Sequence, residues 1–154
     1  MPELLTLAAC EKVLIDEQRN PTLVVLMERI EAQIPEGQSV PANVLAPKEW
    51  VVFTLWKRQE GEKPGHCRQF IEVVPPGNLP IIKVDIEFDF NDRLHKVTNR
   101  FLGIPVGTPG TCWINVRLES AAGVTGTFSY PLEILHKSVP IASLPEGLAS
   151  KVTP

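Results

Sequence analysis

Six stretches of this chain alternate apolar and polar residues with a period of two, and clusters of proline and glycine separate them. The cleanest sets Ile82, Val84, Ile86, Phe88 and Phe90 between Lys83, Asp85, Glu87 and Asp89. A strand sends successive side chains to opposite faces, so this pattern predicts a half-buried β-strand and rules out a helical stripe. An all-β chain is the expectation, with a single domain at 154 residues. Fifteen prolines and ten glycines then read as frequent turns around an ordinary core.

Along the chain, residues 4–16 put Leu5, Leu7, Ala9, Val13 and Ile15 on one face. Asp16 to Pro21 turns them into a second run over 22–34, which predicts a β-hairpin; a helix over 3–18 is the competing reading. A loop is expected over 35–47. Residues 50–58 are apolar on both faces, as a central strand covered from both sides would be. Further strands are expected near 67–74, 81–90, 93–101, 111–119 and 127–137, with a break at Pro75-Pro76-Gly77-Asn78 and a loop over 103–110. Pro131 lacks an N–H, which predicts a sheet edge or a bulge in the last strand. Seven or eight short strands without helical crossovers favour a single-domain antiparallel β-sandwich over residues 1–137, with a proline-containing tail over 138–154. A small β-barrel is the alternative.

The net charge of −3 supplies no basic field for nucleic acid. Cys10, Cys67 and Cys112 are far apart and odd in number, which suggests neither a disulfide framework nor a zinc site. Leu7-Ala8-Ala9-Cys10 matches the pattern at which lipoprotein signals are cut, but the basic region and the long apolar stretch of such a signal are missing and the strand pattern runs on through Val13 and Ile15. No stretch reaches the roughly 20 apolar residues of a membrane helix. The expectation is a cytoplasmic protein with no membrane partner and no cofactor.

The segment Ala9-Cys10-Glu11-Lys12-Val13-Leu14-Ile15-Asp16, with Pro47-Lys48-Glu49-Trp50 and Phe53-Thr54-Leu55-Trp56, resembles a family of small uncharacterised bacterial proteins that open on a Cys-Glu-Lys-Val-type strand. The resemblance extends through His95, Asn99, Gly103-Ile104-Pro105 and Tyr130-Pro131, and it implies no activity. The last two strands are also similar to the closing hairpin of immunoglobulin-like sandwiches, a likeness of fold alone.

Few residues point to chemistry. Asp85, Glu87 and Asp89 share a strand face at spacings of about 7 Å, within the range of an inverting glycosidase pair, yet nothing in the sequence closes a cleft over them. A solvated face is the plainer reading, with a cation site at Asp89, Asn91 and Asp92 as a further one. Glu11 interrupts an inward row, so a structural ion pair with Arg29 across the hairpin is expected. His66, His95 and His136 form no ligand pair in sequence, and a Cys-His nucleophile would have to assemble in space. Trp50 and Trp56 lie about 20 Å apart along one strand, too far to stack on one sugar ring. Trp113 stands on an outward row with Asn115 and Arg117, the composition of a binding hot spot. Three functional classes follow: a non-catalytic protein-binding or self-associating module using Trp113, Asn115, Arg117 and the edge at Pro131; a small-ligand or carbohydrate binder using loops 35–47 and 102–110; and an enzyme of unknown class.

Overall fold

The computed structural model describes residues 1–77 and 80–143. Ten strands lie among them: β1 (Glu3–Ile15), β2 (Pro21–Leu26), β3 (Arg29–Pro35), β4 (Leu45–Lys57), β5 (Gly65–Val74), β6 (Ile82–Phe90), β7 (Leu94–Pro105), β8 (Gly110–Ser120), β9 (Gly123–Val124) and β10 (Phe128–Val139). Sheet A has the order β2-β1-β4-β7, and sheet B has the order β3-β10-β8-β5-β6 with β9 on β8. The two sheets pack face to face, and sheet B curls into half a barrel. The molecule is thus an all-β sandwich.

The eight runs read from the sequence all become strands, and β1 is a strand rather than a helix. Two corrections concern residues 22–34. This run is not one hairpin arm, because β2 pairs with β1 and the chain then crosses to the other sheet at Met27–Glu28. The Met27 N–H donates to the Ala9 carbonyl in sheet A, while the Glu28 carbonyl accepts from the Glu133 N–H in sheet B. Tyr130 Oη fastens the crossing by donating to the Met27 carbonyl at 2.8 Å. Because the chain changes sheets without reversing, β3 runs parallel to β10 from Arg29↔Glu133 to Pro35↔Val139, so the sheets are not wholly antiparallel.

That pairing also extends the folded body to Val139, two residues beyond the expected boundary. A short 3-10 turn follows at Ile141–Ser143, and the rest of the expected tail, like the Asn78 turn position, lies outside the described residues. Pro131 falls where β10 has β8 on one side (Pro131↔Trp113), ahead of the point at which β3 joins at Glu133. The missing N–H therefore sits in a stretch that needs only one ladder of bonds.

β4 lies between β1 and β7, and Trp50, Val51, Val52 and Phe53 are all buried. Trp50, Val52 and Trp56 point into the core with Ile71, Val73, Phe90, Ile114, Leu118, Leu132 and Ile134. Each large apolar side chain buried this way contributes roughly 1.5–3 kcal/mol. Trp50 stacks on Phe101 at 4.9 Å and donates its indole N–H to the Gly103 carbonyl at 2.8 Å. On the other face of sheet A, the far half of β1 leans over Val51, Thr98 and Arg100, leaving a cleft of about 260 Å³. Lys96 on β7 donates to the Arg19 carbonyl at the tip of the β1–β2 hairpin.

Candidate functional site

Because β8 sits between β10 and β5, its outward row becomes the middle of the outer face of sheet B. Trp113, Asn115 and Arg117 follow one another there, and Pro131 lies directly across from Trp113. Trp113 is 44% exposed. Asn115 Oδ1 accepts from Ser129 Oγ at 2.7 Å. On the other side of β8, Phe70 faces Arg117, whose guanidinium lies 4.4 Å from the ring centroid, and Arg68 approaches the same ring at 5.2 Å. A guanidinium over an aromatic face gains about 0.5–1 kcal/mol at an exposed site. The fold therefore collects the four sequence-selected residues with Phe70 into one aromatic and cationic strip.

Beyond that strip, the carboxylates of β6 face Arg68 and His66 of β5. Arg68 pairs with Asp85 and reaches Glu87 at 3.9 Å. His66 lies 3.2 Å from Asp89 and 3.8 Å from Glu87. These groups are 45–69% exposed, so they form a solvated face near the edge of sheet B. Among the described residues no group of three or more His, Cys, Asp or Glu side chains could hold a metal ion.

The Glu11–Arg29 pair does not form. Glu11 is exposed and accepts from Lys48 at 3.0 Å, whereas Arg29 has moved to the other sheet as the first residue of β3. The expectation treated β2 and β3 as one arm, and the crossing at Met27–Glu28 removes its premise.

The Cys-His reading fails on electrostatics. His66 turns outward to Asp89, and Cys67 turns inward. Burial pushes the Cys67 thiol up, and Glu62 and Asp89 push it further the same way, so it stays protonated at neutral pH. Burial likewise raises Cys10 and takes Cys112 to about 12. A protonated thiol is a poor nucleophile.

The loops over 35–47 and 102–110 lie side by side. They close on each other, with the Val106 N–H donating to the Val44 carbonyl. A Cβ at Gly107 would stand 2.4 Å from the carbonyl oxygens of Pro41 and Ala42, so only glycine permits this approach. A cavity of about 310 Å³ lies at the opposite end of the sandwich, walled by Pro2, Arg58, Lys63, Cys67, Phe90 and Ala121 among others.

Two features escaped the sequence reading. Gln69 is completely buried, and its Oε1 accepts from Thr54 Oγ1 at 2.7 Å and from Trp56 Nε1 at 2.6 Å. Its one visible signal is a polar residue on the inward row of Cys67, Ile71 and Val73. The second is an uncovered apolar hairpin, in which Leu14, Ile15, Val25 and Leu26 are each more than half exposed. The signal was present there too, since Leu23 to Leu26 is apolar on both faces. Among the described residues no helix is long and apolar enough to cross a membrane. No family model and no curated protein matches this chain.

Proposed function

We propose that this protein is a non-catalytic association module of the bacterial cytoplasm that works by binding protein, a second copy of itself included, through the outer face of sheet B. The observation that carries this reading is Trp113, 44% exposed on the middle strand of a sheet face, across from Pro131 and on the same outward row as Arg117, which packs on Phe70. Trp and Arg are enriched among the few residues that carry most of the binding energy at protein contacts, Trp through its large rigid surface and Arg through its planar, stacking guanidinium. The absence of a basic field and of an activated thiol supports the reading over nucleic-acid binding and over Cys-His chemistry.

The test is molar mass by light scattering at two protein concentrations, for the parent chain and for Trp113→Ala. A mass above the 17.1 kDa of one chain that falls in the variant is expected. An identical mass for both proteins at both concentrations overturns Trp113 as the anchor of a self-contact. Small-ligand binding is a second reading, favoured by the cavity of about 310 Å³ beside Arg58 and Lys63.

A further inference from the structure

The cavity of about 310 Å³ lies at the end of the sandwich where β4 leaves and β5 enters, and its walls narrow what it can hold. Its size stands at the lower end of the roughly 300–1,000 Å³ typical of small-molecule sites, which suits one ring or a short branched chain. Phe90, Ala121 and Ala122 give it apolar surface, and Arg58 and Lys63 add two positive charges. Arg58 follows β4 directly, and its backbone N–H donates to the Arg93 carbonyl at 2.9 Å, so the side chain starts from a fixed point. Its Nη1 is buried and has no hydrogen-bond partner. The carboxylate in the same wall is committed elsewhere: Glu62 Oε2 accepts from the Gln59 N–H at 2.7 Å, and Oε1 pairs with the amino group of Met1. His66, also in the wall, is held 3.2 Å from Asp89, and burial keeps the Cys67 thiol protonated.

Resting on the reading that this cavity binds a small molecule, we infer that its ligand class is a monocarboxylic acid with an apolar body. The carboxylate meets Arg58, Lys63 adds a second positive charge, and the hydrocarbon part lies against Phe90 and the two alanines. A buried guanidinium N–H without an acceptor costs free energy, and a ligand oxygen removes that cost. The planar guanidinium also matches a carboxylate in shape, with two parallel N–H donors for two oxygens. A phosphate brings more charge and more acceptors than one arginine and one lysine satisfy in a wall that is otherwise largely apolar. The site is separate from Trp113, which stands on the outer face of sheet B.

The experiment uses the full chain and follows the backbone amides of Gly65, Ala121 and Ala122 by proton–nitrogen NMR during titration with phenylacetate, its neutral counterpart phenylacetamide, and inorganic phosphate. Phenylacetate is expected to shift those amides with an affinity roughly tenfold or more above that of phenylacetamide, the difference made by one charge-assisted hydrogen bond, and phosphate to leave them unmoved. Arg58→Gln should bring the affinity for the acid down to that for the amide. Ala121→Phe, at an exposed turn position, should fill the cavity and abolish binding of both. Acid and amide binding equally well to the parent chain overturns the inference and leaves the small-ligand reading standing, as does phosphate acting as strongly as the acid. Binding that survives Ala121→Phe puts the ligand outside the cavity and overturns the inference too. Silence of these amides with both aromatic ligands overturns the reading and the inference together. The comparison of acid with amide needs no variant, so it decides even where Arg58→Gln fails to fold.

Discussion

At the edge of sheet B, β6 turns Lys83, Asp85, Glu87 and Asp89 outward and buries Phe90 in the core. At the edge of sheet A, β2 carries no charge over six residues and leaves Val25 and Leu26 more than half exposed. The two strands hold equivalent positions in one molecule. β6 is finished: on its outward row Arg68 pairs with Asp85 and His66 lies 3.2 Å from Asp89, and Phe88 stacks on His95 of β7 at 4.1 Å, tying its inward row to the opposite sheet. β2 is held by β1 and by the crossing at Met27. The contrast teaches that the alternating pattern marks a strand whose surroundings lie within its own chain, and its loss at an edge marks one whose surroundings are incomplete.

The largest effect that would break this contrast is on stability. Phe90→Ala should cost about 3–5 kcal/mol in urea denaturation, because it empties a fully buried site, while Leu26→Ala should stay within about 0.5 kcal/mol at concentrations where the chain is monomeric. Comparable losses would show that β2 anchors the fold as β6 does. A smaller effect probes the Tyr130 hydroxyl that secures the end of β2. Tyr130→Phe should cost about 1 kcal/mol and speed amide exchange near Met27.

The smallest expected effect sharpens the account of β6 through pH. Burial against Phe88 and Phe90 lowers the His95 pKa below its usual value, and Asp92 partly offsets this. The folded state therefore binds fewer protons than the unfolded state near and below pH 6.5. The contribution of His95 is intact above the unfolded pKa and is lost as pH falls towards the depressed folded value. Urea midpoints should drop between pH 7.5 and 5, and His95→Gln should flatten that part of the drop; an unchanged slope would show that His95 does not titrate with folding.

Strand existence was legible in the sequence because burial of one face writes a period of two, and the doubly buried β4 was legible because it abolishes that period. Pairing was less legible. Nothing in Met27-Glu28 announces that the chain changes sheets, since the bonds that hold the crossing come from Ala9, Tyr130 and Glu133, remote in sequence. The same omission produced the Glu11–Arg29 expectation. Trp113, Asn115, Arg117 and Pro131 could be placed on facing outward rows from alternation alone, whereas Phe70 joined them only through the β5–β8 register. The left-handed φ of +54° at Val25 is likewise a property of the folded hairpin that a β-branched residue does not advertise.

The parallel ladder between β3 and β10 carries a consequence for assembly order. β3 has no other strand neighbour among the described residues, and about 100 residues of chain separate the two. On a ribosome, β1, β2, β4 and β7 of sheet A all emerge before β10, so one layer of the sandwich can form while β3 waits unpaired. The last strand among the described residues is thus the one that covers β3, which stays without a strand partner until β10 has been made.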